Sequence, residues 1–147
     1  MYYERISRRL HLEIGGAEYS LAFSLNALEQ LEDRAGKPIV QLVSGNVPRI
    51  SLLHDAFWLG LRDGGNRKIT RDEVEPLIRQ FIEENESEED GSGFMALANV
   101  FMILVALSGI MGTKFQHQVF DDVGLTDKDG KPASEVKNVE TAKQTDQ

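Results

Sequence analysis

Residues 94–111 read FMALANVFMILVALSGIM, eighteen positions without a charge. As a helix such a stretch spans about 27 Å, close to the thickness of a bilayer core. It must therefore be wrapped by other elements, be covered by another subunit, or lie in a membrane. Asn99 sits inside it, no aromatic belt flanks it, and basic residues near its ends are few. An orienting membrane signal is thus missing, and burial within protein is the expectation.

The chain of 147 residues has the length of one domain, enough to bury a core without disulfides or metals. It contains no cysteine, which excludes disulfide scaffolds, thiolate-bound metals and thiol nucleophiles. Charged residues run through the first fourteen positions, so a secretory leader is not expected there. The net charge of −8 is unevenly spread. Residues 1–82 are balanced and residues 83–147 hold the whole acidic excess. Nucleic acid is a poor partner for such a chain, although Arg5, Arg8 and Arg9 form a small basic cluster.

Leu10, Leu12 and Ile14 alternate with polar residues, and Tyr19, Leu21 and Phe23 alternate again after Gly15-Gly16. This predicts a hairpin over about 9–23, with the glycines supplying the positive φ of a primed turn. Ser24 and Gly36 bracket a helix whose Leu25, Leu28, Leu31 and Ala35 share a face. A short apolar run, IVQLV, follows Lys37-Pro38 and ends at Ser44-Gly45-Asn46. Residues 51–62 predict a helix that is apolar over a wide arc. Thr70 and Glu73 have capping-box spacing before Val74, Leu77, Ile78 and Phe81. Pro76 lies past the first turn of that helix and predicts a late start or a bend.

The fold class expected is α+β, mainly α: an N-terminal β-hairpin packed on a bundle of four to five helices. One globular domain over 1–125 is followed by a disordered acidic tail over 126–147, where apolar residues are scarce. The core should include Leu28, Leu31, Phe57, Trp58, Leu61, Leu77, Ile78, Phe81, Phe101 and Leu104.

The motifs that could carry chemistry are weak. His11, His54 and His117 fall in separate elements with no metal-ligand spacing. No nucleophile is placed with His54-Asp55. The acidic run at 83–93 lacks spaced oxygen ligands and is expected to be a solvated helix end and linker. Asp127-Lys128-Asp129-Gly130 begins like a calcium loop, but Lys131, Pro132 and Asn138 break the frame, leaving an Asp-Gly turn. No phosphate loop or dinucleotide fingerprint occurs, so neither an enzyme nor a cofactor is expected.

The order of features carries a resemblance. A hairpin ending at Phe23 leads into LNALEQLEDRAG at 25–36, then AFWLGLRDG at 56–64, then ITRDEVEPLI at 69–78. Over about residues 10–82 this series resembles the tail assembly chaperones of long, flexible-tailed phages and the related proteins of gene transfer agents. The resemblance implies a non-enzymatic assembly factor of the host cytoplasm, absent from the mature virion. Its partner would be the tape measure protein, held soluble until tail tube protein polymerises around it. Contact with the tail tube protein and self-association are further implied partners.

A partner surface is expected on the helix at 94–111, with Phe94, Leu97, Phe101, Met102 and Val105 as anchors if that helix is incompletely covered. Two other readings remain: a small membrane-associated phage protein anchored by residues 94–111, and a structural component of the tail.

Overall fold

The computed structural model describes residues 1–45 and 47–132. Among them, a three-stranded antiparallel sheet packs on six helices. The strands are β1 (Tyr2–Glu4), β2 (Arg9–Ile14) and β3 (Ala17–Leu21), in that spatial order. The helices are α1 (Leu25–Ala35), α2 (Ile39–Val43), α3 (Ile50–Asp63), α4 (Arg71–Asn85), α5 (Ser92–Ser108) and α6 (Thr113–Val123).

The expected hairpin is β2–β3. Ile14 pairs with Ala17 across Gly15-Gly16, whose φ angles of 61° and 81° suit a primed two-residue turn. Leu10, Leu12 and Ile14 are buried, while Arg9 and Glu13 face solvent. The hairpin gains a third strand that the expectation lacked. β1 pairs with β2, placing Tyr3 opposite Leu10. Tyr3 is buried, and its ring meets Phe120 of α6 at 4.6 Å between centroids. The backbone N–H of Tyr3 donates to Thr126 O at 3.1 Å. β1 is therefore fixed by contacts more than a hundred positions away, which local pattern does not reveal.

The helix ends follow the residues. Ser24 accepts from the N–H of Ala27, and Gly36 closes α1 in the left-handed region. Thr70 and Glu73 form a complete capping box on α4. The helix starts at that cap and runs on through Pro76, so it does not begin late. Pro76 is exposed, so the carbonyl of Asp72 that loses its helical donor there lies on the solvent side of the helix.

α5 is the centre of the molecule. It packs against α3, α4, α6 and β2, so most of its apolar surface is covered by three helices and a strand. Near its start Gly93 lies against the backbone of α4, where an added Cβ would collide with Ile82 O. Of the expected core, Leu28, Leu31, Phe57, Leu61, Phe81, Phe101 and Leu104 are buried. Trp58, Leu77 and Ile78 are half-buried at its margin.

Beyond the expected boundary at residue 125 the structure describes seven further residues. Leu125 is buried, Asp127 bridges to Tyr3, and Thr126 bridges to Pro132, so residues 126–132 return to the outer edge of β1. Asp127 Oδ1 accepts from the N–H groups of Asp129 and Lys131, both at 2.9 Å, which makes the expected Asp-Gly turn. The remainder of the expected tail, 133–147, lies outside the described residues.

Candidate partner-binding surface

The anchors expected on α5 divide into two groups. Leu97, Phe101 and Val105 are 3%, 1% and 0% exposed, so they are core residues and present no surface. Phe94 and Met102 are half-buried and pack against the core from its edge. The cover over this helix comes partly from α6, which the sequence reading did not anticipate. Residues 113–123 look polar in sequence, yet Val119 and Phe120 are buried, with Phe115 and Val123 packed beside them. That helix covers the side of α5 that would otherwise be bare. Among the described residues, no helix is long and apolar enough to cross a membrane. Most of the apolar side chains of residues 94–111 are instead buried inside the fold.

The polar ends of α5 are served from elsewhere. Glu86 accepts from the N–H of Gly93 at 2.7 Å, the N–H of Gly91 at 3.2 Å and the hydroxyl of Ser92 at 3.0 Å. These donors, led by Gly93, hold the Glu86 carboxyl below the usual carboxylate range. Glu84 accepts the N–H of Gly15 at 2.7 Å and so ties the hairpin turn to α4. Two carboxylates of the acidic run thus have structural partners. No group of three or more potential metal-ligating side chains is present among the described residues. The histidines are engaged too. His11 Nδ1 meets Ser20 Oγ at 2.8 Å and its Nε2 lies 2.7 Å from a Glu4 carboxylate oxygen. His54 Nε2 lies 2.9 Å from Arg71 O.

The three sequence segments that carry the family resemblance converge. Asp55 of α3, a buried carboxylate, is clamped by Arg34 Nε of α1 at 3.0 Å and Arg71 Nε of α4 at 2.7 Å. One turn along α3, the Trp58 indole N–H donates to Ile69 O at 3.0 Å. The guanidinium carbons of Arg34 and Arg62 lie 5.6 and 5.1 Å from the centre of the same ring. These contacts lock α1, α3 and the start of α4 together.

Beside this lock lies a cleft of about 490 Å³ between α1, α2 and the start of α3. Its apolar wall includes Leu42, Val47, Pro48 and Leu52, and its cations are Arg34, Lys37 and Arg49. Asp55 is the one carboxylate lining it, and two arginines already hold that group. Large apolar side chains in solvent gather on the same segment: Val40 is 57% exposed, Val47 54% and Ile50 72%. Sequence reasoning passed over this surface. The available signal was a run of apolar residues, from Ile39 through Val47 to Ile50, interrupted by the turn-forming Gly45 and Pro48 and flanked by Lys37 and Arg49.

Comparisons with family models, with curated proteins and with solved structures find no match to this chain.

Proposed function

We propose that this protein is a phage tail assembly chaperone that binds the tape measure protein and keeps it in solution while the tail tube assembles. The observation that carries the reading is solvent-facing Val47 on the wall of one cleft with Val40 and Ile50 exposed on the neighbouring chain, in a molecule whose most apolar helix is largely enclosed. An apolar patch of this kind marks a partner site rather than a fault in packing. A long helical protein awaiting its tube exposes apolar side chains, and covering them needs a surface of this sort. The net charge of −8 keeps a loaded complex soluble. The resemblance over residues 10–82 supplies the identity of the partner, and its three segments are the ones that build the lock beside the cleft.

The reading also covers where the protein acts. It works in the cytoplasm of the bacterial host and is absent from the mature virion. Purified particles analysed by mass spectrometry should lack this chain, while a tagged copy recovered from infected cells before lysis should bring the tape measure protein with it. Stoichiometric presence in finished particles would favour a structural tail component instead.

A further inference from the structure

We propose that the cleft between α1, α2 and α3 takes an amphipathic helix whose apolar stripe is flanked by carboxylates. The identity of the partner as a tape measure protein rests on the reading above, but the chemistry of the segment comes from the cleft itself. Lys37 and Arg49 are exposed, and neither makes a salt bridge among the described residues. Arg34 lines the same cleft with its side chain 44% exposed. The lone carboxylate there, Asp55, is neutralised by Arg34 and Arg71. A cationic patch therefore sits in a chain of net charge −8, in the half of the sequence where the acidic excess is absent. At physiological ionic strength exposed charges are screened beyond about 8 Å, so the cations lining the cleft, together with Glu32, which is held on the Ile39 N–H beside them, decide what approaches.

Between the cations the wall is mixed, with an apolar strip beside the polar side chains of Gln41 and Ser51. Leu42, Val47, Pro48 and Leu52 line it, with Val40 and Ile50 exposed alongside. A helix laid across such a cleft inserts a few side chains from one stripe and leaves its flanks at the rim. Carboxylates on those flanks meet Lys37 and Arg49, whereas lysines there meet like charge. Nucleic acid fits less well. Only three cations are present, one of them already paired, and no aromatic ring lines the cleft for a base to stack on.

The test uses the full chain and two helical peptides with the same leucine stripe, one flanked by glutamate and the other by lysine. Trp58 is the only tryptophan, and the guanidinium of Arg34 sits over it, so its emission reports occupancy of the cleft. The glutamate peptide should bind about tenfold tighter than the lysine peptide, a preference that shrinks with added salt. K37E/R49E should erase that preference, while R67E/K68E, which changes two cations outside the cleft, should keep it. Circular dichroism checks that both variants stay folded. The proposal is overturned if the two peptides bind alike, if K37E/R49E retains the preference, or if a single-stranded oligonucleotide displaces the glutamate peptide. It is overturned equally if sedimentation shows the free chain to be an oligomer that K37E/R49E dissolves, since a second copy would then fill the cleft. Co-expression with the tape measure protein separates the two claims. If K37E/R49E solubilises it as well as the parent does, the cleft assignment falls and the chaperone reading stands. If the parent itself fails, the chaperone reading falls and the peptide preference still decides the cleft.

Discussion

Arg8 Nη1 donates to the backbone carbonyl of Ser108 at 3.1 Å, so the last turn of α5 receives its cation from the loop between β1 and β2. Glu86 does the converse at the other end, accepting the N–H groups of Gly91 and Gly93. An uncharged helix thus has both ends of its dipole complemented by residues of other elements. This arrangement lets α5 run without a charge between its ends, with exposed Asn99 as its polar interruption.

Glu86 makes the arrangement sensitive to acid. Its carboxyl is held below the usual range in the folded state, chiefly by the Gly93 N–H. Its contribution is therefore complete above the ordinary glutamate pKa and is lost as pH falls through the lowered one. Melting temperature followed from neutrality down through the carboxylate range should fall less steeply in Glu86→Gln than in the parent. Equal slopes would show that the contacts do not favour the charged form.

The clamp on Asp55 should behave as one unit. Removing Arg34 or Arg71 alone leaves the other guanidinium on the carboxylate, so each single alanine variant should cost only about 1 kcal/mol. Removing both leaves a buried carboxylate without a partner, and R34A/R71A should cost about 3 kcal/mol or more. Urea unfolding of the four proteins in the cycle measures the coupling, and strictly additive single effects would contradict the clamp.

Gly93 lets α5 meet the backbone of α4. Gly93→Ala places a methyl against Ile82 O and should destabilise by about 1–3 kcal/mol, although alanine is the better helix former. A rise in thermal stability would mean that the two helices do not approach so closely.

The enclosure of α5 predicts a contrast along its length. Phe101 is 1% exposed, and Phe101→Ala should cost about 3–5 kcal/mol. Met95 is 46% exposed, and Met95→Asp should stay within about 0.5 kcal/mol of the parent. Chemical denaturation distinguishes the two, and similar losses would place Met95 inside a contact.

The sequence is most legible where a local cause is enough. The hairpin follows from Gly15-Gly16, the start of α4 from the Thr70–Glu73 box, and the end of α1 from Gly36. β1 is not legible that way, because Tyr3 is held by Leu10, Phe120 and Thr126, and two of these lie at the far end of the chain. α6 is missed because its buried residues are few among polar neighbours, and missing it made the face of α5 look bare. The cleft depends on the meeting of α1, α2 and α3, so Lys37 and Arg49 acquire a common meaning only in three dimensions.

The central claim is that this chain holds a tape measure protein in solution. The direct measurement is the soluble fraction of the tape measure protein encoded in the same genome, expressed in bacteria with and without this chain. The account predicts a tape measure protein that pellets when alone, stays in the supernatant when co-expressed, and elutes with this chain as one complex. A tape measure protein that pellets equally in both cases, or that stays soluble without any association, would contradict it.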